Sequence, residues 1–177
     1  TYPLPEAQVD RFMMKVLVGY PQEDEEFVIV QRVIGQAIEV AAVTSTDQIA
    51  QLQKTCRQGY VDPSLIQFAV KLVSATRHPE RFGLADWSRF ITFGASPRAT
   101  IGLIEGARAL AFLRGRSYAL PQDVIDLVPD VLRHRLVLSY EALSEGLTPE
   151  AIIAQILQAV PVPDKPLDSH VRTAPTA

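Results

Sequence analysis

The longest apolar helical pattern in the chain opens with Phe93-Gly94-Ala95-Ser96-Pro97-Arg98-Ala99 and runs from Pro97 to about Arg114. Serine is a good N-cap and proline fits the first helical position, so Ser96 and Pro97 predict where a helix begins. Arg98 follows in the first turn, where the helix dipole disfavours a cation unless an anion is shared with it. A planar guanidinium beside the free N–H groups of a helix start suits a phosphate. We therefore predict that Ser96, Pro97 and Arg98 bind an anionic ligand.

Two glycines lie inside this helical pattern, although each costs about 1 kcal/mol relative to alanine. The helical repeat places Gly102 and Gly106 on one face with Arg98 and Glu105. This arrangement predicts a shallow channel that another backbone or a flat ligand can approach closely. The alternative is that the glycines only permit tight helix packing, while Arg98 points into water or pairs with a carboxylate. The sequence leaves both interpretations open.

Composition restricts the classes of protein to which the chain can belong. It has 177 residues, 47% of them hydrophobic, and no apolar run near the 18 residues of a membrane span, which predicts a soluble globular protein. The net charge of −3 argues against nucleic acid as the main ligand. The single Cys56 excludes an intrachain disulfide and permits a reducing, cytoplasmic setting. The three histidines lack metal-ligand spacing, so we predict no metal site. Residues 1–5 do not resemble a signal peptide, and we expect the chain to begin within a domain.

Periodicity and capping residues predict a mainly α fold, a small helical bundle attached to a fragment of an α/β domain. Helices are predicted over residues 5–11, 22–35, 44–58, 63–77 and 97–114, with two more starting near 121 and 148. The helix over 22–35 is predicted against the strand propensity of Phe27 to Val30. Phe12 to Val18 favours a strand whose partners lie outside this chain. Glu80 to Thr92 is predicted to be an ordered loop, and the segment from Val160 to Ala177 a disordered tail.

Five motifs resemble, in order, the C-terminal motifs of MoxR-type AAA+ ATPases. They are Tyr2-Pro3-Leu4-Pro5-Glu6-Ala7-Gln8-Val9-Asp10-Arg11-Phe12, Gly19-Tyr20-Pro21, Gly94-Ala95-Ser96-Pro97-Arg98-Ala99, Arg114-Gly115-Arg116 and Val131-Leu132-Arg133-His134-Arg135-Leu136. The resemblance implies that residues 1–20 are the C-terminal edge of the nucleotide-binding core, 21–160 its helical lid and 161–177 the tail. No G-x-x-x-x-G-K-[ST] pattern occurs in the chain, so we expect that alone it neither binds ATP tightly nor hydrolyses it.

The resemblance also implies roles for two arginines. Arg11, in a motif that reads Val9-Asp10-Arg11-Phe12 where leucine is common at the first position, resembles the arginine finger that reaches the γ-phosphate held by a neighbouring subunit. Arg98, preceded by Ser96 and Pro97, resembles the second sensor. For the full-length protein the resemblance implies ATP with Mg²⁺ and a ring, a hexamer in this family. It further implies a client protein and a partner with a von Willebrand factor A-type domain. The segment over 78–93 is longer than expected for the family.

A function of another class also fits these residues. The chain can be interpreted as a non-enzymatic helical interaction module, with the channel beside Arg98 as a groove for a partner. The short basic run Arg133-His134-Arg135 can contact phosphate or nucleic acid, or it can be a solvated or ion-paired face. An upstream phosphate-binding loop would favour the ATPase over the interaction module.

Overall fold

The computed structural model describes residues 4–36 and 39–164, and their fold is mainly α. The helices are α1 (Glu6–Val9), α2 (Glu23–Ile34), α3 (Thr46–Arg57), α4 (Pro63–Arg77), α5 (Pro97–Leu113), α6 (Pro121–Leu132), α7 (Tyr140–Ser144) and α8 (Pro149–Ala159). Two 3₁₀ helices, Pro79–Phe82 and Ala85–Phe90, and two short strands, β1 (Ile91–Phe93) and β2 (Val137–Leu138), complete the described elements. The predicted mainly α fold is thus confirmed.

Side-chain caps explain where the long helices begin. The hydroxyls of Ser45, Ser96 and Thr148 and the carboxylate of Asp62 each accept a hydrogen bond from a backbone N–H in the first turn of the helix that follows. Proline occupies the first turn of α4, α5, α6 and α8. The starts predicted from these residues are confirmed to within two positions.

The hydrophobic core lies among α4, α5, α6 and α8. Its largest fully buried side chains are Leu65, Leu72, Leu103, Leu132, Ile152, Ile153 and Ile156. The predicted stripe of α4, which runs from Leu65 to Val73, is buried as expected. Helix α2, in contrast, has no buried residue, although it forms as predicted despite its strand-favouring sequence. None of the helices in the described part of the chain has the length and apolar character needed to cross a membrane.

The strand predicted from Phe12 to Val18 does not form. These residues belong to no strand, and the exposed fraction of Val18 is 91%. The apolar run finds no ladder to join in the described chain, because the only sheet there consists of β1 and β2. The segment instead runs along α6, where the N–H of Lys15 donates to the carbonyl of Asp130 at 2.8 Å. Met14 packs against the edge of the core.

The predicted loop over 80–92 contains most of the two 3₁₀ helices and the start of β1. β1 pairs antiparallel with β2, with Ile91 opposite Leu138 and Phe93 opposite Val137. Two- and three-residue strands are too short to give a period in sequence, which is why neither was predicted. The segment is ordered as predicted and packs onto the domain, since Phe90 is 6% exposed and belongs to the hydrophobic core.

The prediction for the C-terminal segment was wrong at its first residue. Val160 is 1% exposed and belongs to the core, because it follows α8 directly and closes the apolar face of that helix. The segment predicted as a tail over 161–177 is described only to residue 164. The prediction for residues 165–177 lies outside the described residues.

Candidate functional site

Asp10 is the residue on which the candidate site converges. It ends α1 and directs its carboxylate at the start of α5. The hydroxyl of Ser96 donates to it at 2.9 Å, and Nε of Arg135 donates at 3.1 Å. Nε of Arg98 lies 3.8 Å from the same carboxylate, beyond hydrogen-bond distance but within ion-pair distance. One anion therefore joins the N-terminal segment to three residues of the helical bundle.

Arg98 lies at the rim of this cluster. Its side chain is 55% exposed, so the loose ion pair with Asp10 leaves most of the guanidinium in solvent. A cation in the first turn of a helix is disfavoured by the helix dipole, and Asp10 supplies the compensating negative charge. Arg98 can exchange this carboxylate for another anion at little cost, because exposed pairs contribute only about 0–1 kcal/mol.

The N–H groups at the start of α5 are not available for a ligand. Pro97 has none, the N–H of Arg98 donates to Ser96 Oγ at 3.2 Å, and that of Ala99 donates to the carbonyl of Ser96 at 3.0 Å. The expectation that free N–H groups and the guanidinium converge on one phosphate is therefore wrong, because the cap has already satisfied these donors. Ser96 and Pro97 shape the helix start. A direct contact of either with a nucleotide stays a prediction.

Arg11 occupies the turn that follows α1, one residue after Asp10. Its side chain is exposed, and its guanidinium forms no hydrogen bond or ion pair with any residue within 4–36 and 39–164. The backbone is fixed, since the N–H of Arg11 donates to the carbonyl of Gln8 at 3.1 Å. Arg11 thus follows Asp10 directly in the chain and Arg98 lies 3.8 Å from its carboxylate, and both arginine side chains are exposed to an external anion.

The basic run at 133–135 turns inward, onto the N-terminal segment. Arg133 Nη1 donates to the carbonyl of Lys15 at 3.0 Å, and His134 Nε2 donates to that of Phe12 at 3.1 Å. Because a carbonyl only accepts, that nitrogen carries the proton. Burial of the ring is the largest effect on His134 and lowers its pKa. Of the interpretations left open for this run, the ion-paired face is correct for Arg133 and Arg135.

Sequence reasoning missed Asp10 and Arg135 as members of the site. The side chain of Arg135 is 2% exposed, although arginine is rarely buried. Asp10 and Arg135 each lie in one of the motifs on which the family resemblance rests. Their opposite charges were the only signal in the sequence that they could belong to one site. Neither motif by itself indicates that the two pair.

The predicted channel beside Arg98 is filled by the chain itself. A Cβ placed on Gly102 would lie 3.5 Å from Val131 Cγ1 and 3.6 Å from the carbonyl oxygen of Met13. At Gly106 it would lie 2.9 Å from Leu127 Cδ1 and 3.4 Å from Met13 Cε. Both positions are therefore packed against α6 and the N-terminal segment, and the approach is closer than a Cβ normally allows only at Gly106. The predicted open groove along this helix, on which the interaction-module interpretation depended, is wrong because Met13, Leu127 and Val131 occupy it.

An open cavity of about 270 Å³ adjoins the site. Its lining includes Val9, Asp10, Phe93, Ser96, His134 and Arg135. Within the described residues no group of three or more histidine, cysteine, aspartate or glutamate side chains could hold a metal ion. The arrangement offers cationic groups for phosphate oxygens and supplies no acidic cluster for Mg²⁺.

A second charged cluster, at the far end of α5, has a structural role. Arg114 and Arg116 both donate to the fully buried carboxylate of Asp123, at 2.7 Å and 2.6 Å. Burial raises the pKa of Asp123, but hydrogen bonds from Arg116, the N–H of Leu120 and Arg114 outweigh it and lower the pKa below its usual 3.8. The motif at 114–116 thus ties the end of α5 to the start of α6.

The sequence and the fold are similar to those of known proteins. Residues 87–156 match the family model described as an AAA lid domain. The chain is 47% identical over 162 residues to the chaperone MoxR1 of Mycobacterium tuberculosis, covering 92% of this chain and 43% of that protein. It is 34% identical over 183 residues to the protein MoxR of Paracoccus denitrificans, covering 92% of this chain and 52% of that protein.

A crystal structure of a candidate ATPase from Cytophaga hutchinsonii superposes with a TM-score of 0.88 at 38% identity, over 92% of this chain and 50% of that one. The chain thus spans about half the length of the relatives it matches. The family match, the two relatives and the shared fold agree with the family that the five motifs resemble. The chain therefore belongs to the MoxR-type AAA+ ATPases, and its residues 87–156 match the AAA lid domain.

Proposed function

We propose that this chain is the lid, arginine-finger and second-sensor portion of a MoxR-like AAA+ ATPase. Residues 1–20 are then the C-terminal edge of the nucleotide-binding core and residues 21–160 the lid. Arg11 acts at the ATP held by a neighbouring subunit, and Arg98 acts at the ATP of its own subunit. The observation that carries the proposal is the pair of exposed arginines next to Asp10. Arg11 follows it in the chain and forms no hydrogen bond or ion pair with another described residue, and Arg98 is only loosely paired with its carboxylate.

The chemistry of phosphoryl transfer explains why two such arginines are needed. The transferred group carries its charge on three equatorial oxygens, and most of the catalysis comes from positive charge placed around them. Arg11 supplies a fork that can donate two parallel hydrogen bonds. Arg98 leaves the Asp10 carboxylate when a phosphate is offered and returns to it when the phosphate departs, so the lid responds to the nucleotide state.

ATP with Mg²⁺ is the cofactor that this proposal requires. The described residues provide cations for the phosphates, and the Mg²⁺ ligands would come from the core that this chain lacks. The full-length protein would assemble into a ring, a hexamer in this family, because a finger in trans needs a neighbour. The name chaperone carried by the relative from Mycobacterium tuberculosis supports remodelling of a client protein. A partner with a von Willebrand factor A-type domain and a cytoplasmic location belong to the same proposal.

The test is to replace Arg11 by alanine in the protein that carries this chain together with its nucleotide-binding core. An arginine finger contributes about 10³-fold or more to kcat, so hydrolysis should fall by that factor. Binding of ATP should stay within about twofold, because the interaction strengthens only in the transition state. Arg81→Ala, at an exposed arginine on the first 3₁₀ helix, is the matched control. An Arg11→Ala protein that hydrolyses ATP at the control's rate would refute the finger assignment.

A further inference from the structure

Arg135 lies just beyond α6 and buries its guanidinium against the turn that follows α1. Its side chain is 2% exposed, whereas that of Arg98, at the same cluster, is 55% exposed. Burying a cation costs free energy unless it is both paired and hydrogen-bonded. The position of this charge therefore needs an explanation beyond a surface ion pair.

All the N–H groups of this guanidinium are used, and four of the five bonds end on residues 10–13. Nε donates to the carboxylate of Asp10, and Nη2 donates to the carbonyls of Asp10 and Phe12. Nη1 donates to the carbonyl of Met13 at 3.0 Å and to that of Val131 in α6. A guanidinium has five N–H donors in a fixed plane, so no donor is left over. Arg135 thus holds the backbone of the turn to the end of α6.

The bonded carbonyls bracket Arg11. The carbonyls of residues 10 and 12 stand immediately before and after it, while its own guanidinium forms no hydrogen bond or ion pair with another described residue. His134 adds a second donor to the carbonyl of Phe12. The backbone is therefore fixed on both sides of a side chain that is left free to project outward.

We propose that Arg135 is a positioning residue for Arg11. This inference rests on the proposed function, since it assumes that Arg11 is the arginine finger. A misplacement of about 1 Å in a group that acts on the transition state can lower the rate roughly 100-fold. Lysine has three N–H donors and no planar fork, so it cannot serve the four acceptors on residues 10–13 and the one on Val131. Arg135→Lys therefore keeps the positive charge but removes the planar set of five donors that holds residues 10–13.

The experiment compares Arg135→Lys with Arg116→Lys in the protein that carries this chain and its core. Arg116 also has a largely buried guanidinium, bonded to Asp123 and to the carbonyl of Tyr118, and it forms no hydrogen bond or ion pair with residues 10–13. We expect Arg135→Lys to lower kcat about 10- to 100-fold while the Kd for ATP stays within about twofold. Arg116→Lys should change neither quantity by more than about twofold.

A double variant shows whether Arg135 acts through Arg11. If it does, Arg11→Ala with Arg135→Lys is no slower than Arg11→Ala alone, because the group to be positioned is already gone. If the double variant is slower than Arg11→Ala alone by the factor that Arg135→Lys causes in the wild type, the inference is overturned. The inference is also overturned if Arg135→Lys leaves kcat unchanged, as Arg116→Lys does, while Arg11→Ala is inactive. In that case the assignment of Arg11 as the arginine finger still stands. An active Arg11→Ala protein refutes the proposed function and this inference together.

A milder variant covers the case in which Arg135→Lys fails to fold. His134→Ala removes one donor from the carbonyl of Phe12 and leaves the buried charge in place. It should lower kcat several-fold at unchanged ATP affinity, and this loss should vanish in the Arg11→Ala background. An unchanged kcat for His134→Ala, or a loss that persists without Arg11, contradicts the positioning role.

Discussion

Ser96 Oγ donates to the carboxylate of Asp10, at 2.9 Å from Oδ2 and 3.0 Å from Oδ1, across 86 residues of sequence. The same hydroxyl accepts from the N–H of Arg98 at 3.2 Å. One side chain therefore begins α5 and attaches it to the N-terminal segment. The placement of both candidate arginines depends on this attachment, because Arg98 lies in the first turn of α5 and Arg11 follows Asp10.

Removing the carboxylate of Asp10 should destabilise the fold. Asp10→Ala leaves the buried guanidinium of Arg135 without its anion, and breaking a buried pair in this way costs about 3 kcal/mol or more. The free energy of unfolding in urea measures the loss. Glu141→Ala is the control, because it breaks an exposed pair with Arg89 and should cost no more than about 1 kcal/mol. Equal losses for the two variants would show that the Asp10 cluster is an ordinary surface ion pair.

Two glycines at the site should respond to alanine in opposite ways. At Gly94 a Cβ would lie 2.6 Å from the carbonyl carbon of Thr76, so Gly94→Ala should destabilise by about 1–3 kcal/mol. At Gly102 the nearest atoms are at ordinary contact distances, and alanine favours the helix, so Gly102→Ala should stabilise by up to about 1 kcal/mol. Thermal unfolding of both variants checks the pair. A destabilising Gly102→Ala would mean that α5 and Met13 pack more tightly than described.

His134 should make the fold sensitive to acid. Because burial lowers its pKa in the folded state, the unfolded chain binds a proton more readily as the pH falls through 6.5, the ordinary value. Its contribution to stability is present above that pH and is lost as the pH drops towards the lowered pKa. The free energy of unfolding should therefore decline between about pH 7.5 and pH 5.5, and less steeply in His134→Gln. His78→Gln serves as the histidine control, and an identical slope in wild type and His134→Gln would contradict the expectation.

Arg98 should be needed for the lid to respond to nucleotide. In the protein with its core, Arg98→Ala should slow ATP hydrolysis and reduce the change in lid position on ATP binding, measured as a distance between labels on lid and core. Arg98→Lys should restore only part of both, because lysine lacks the bidentate fork. Full restoration by lysine would mean that charge alone suffices. An unchanged response in Arg98→Ala would remove the sensor role.

Local signals predicted the helices, whereas the contacts that build the site are long-range. Asp62 with Pro63, and Ser96 with Pro97, mark helix starts through bonds within three residues, so they can be identified from sequence. The bond from Arg135 to Asp10 joins residues 125 positions apart, and no local pattern encodes it. The run from Phe12 to Val18 had the propensity of a strand, but a strand also needs a neighbour to pair with. β1 and β2, in contrast, do pair with each other, but they were not predicted because the pairing is tertiary and their sequences are too short to show a pattern.

Mixed rings test most directly the central claim that Arg11 acts on the ATP of a neighbouring subunit. Subunits with Arg11→Ala keep an intact phosphate-binding loop in their core, and subunits with a broken loop keep Arg11. Neither hydrolyses ATP alone, but a mixture places an intact Arg11 beside an intact ATP site. The account predicts that hydrolysis returns on mixing, reaches its maximum near equal proportions, and stays absent when every subunit carries Arg11→Ala. No return of hydrolysis in rings shown to contain both subunits would contradict it.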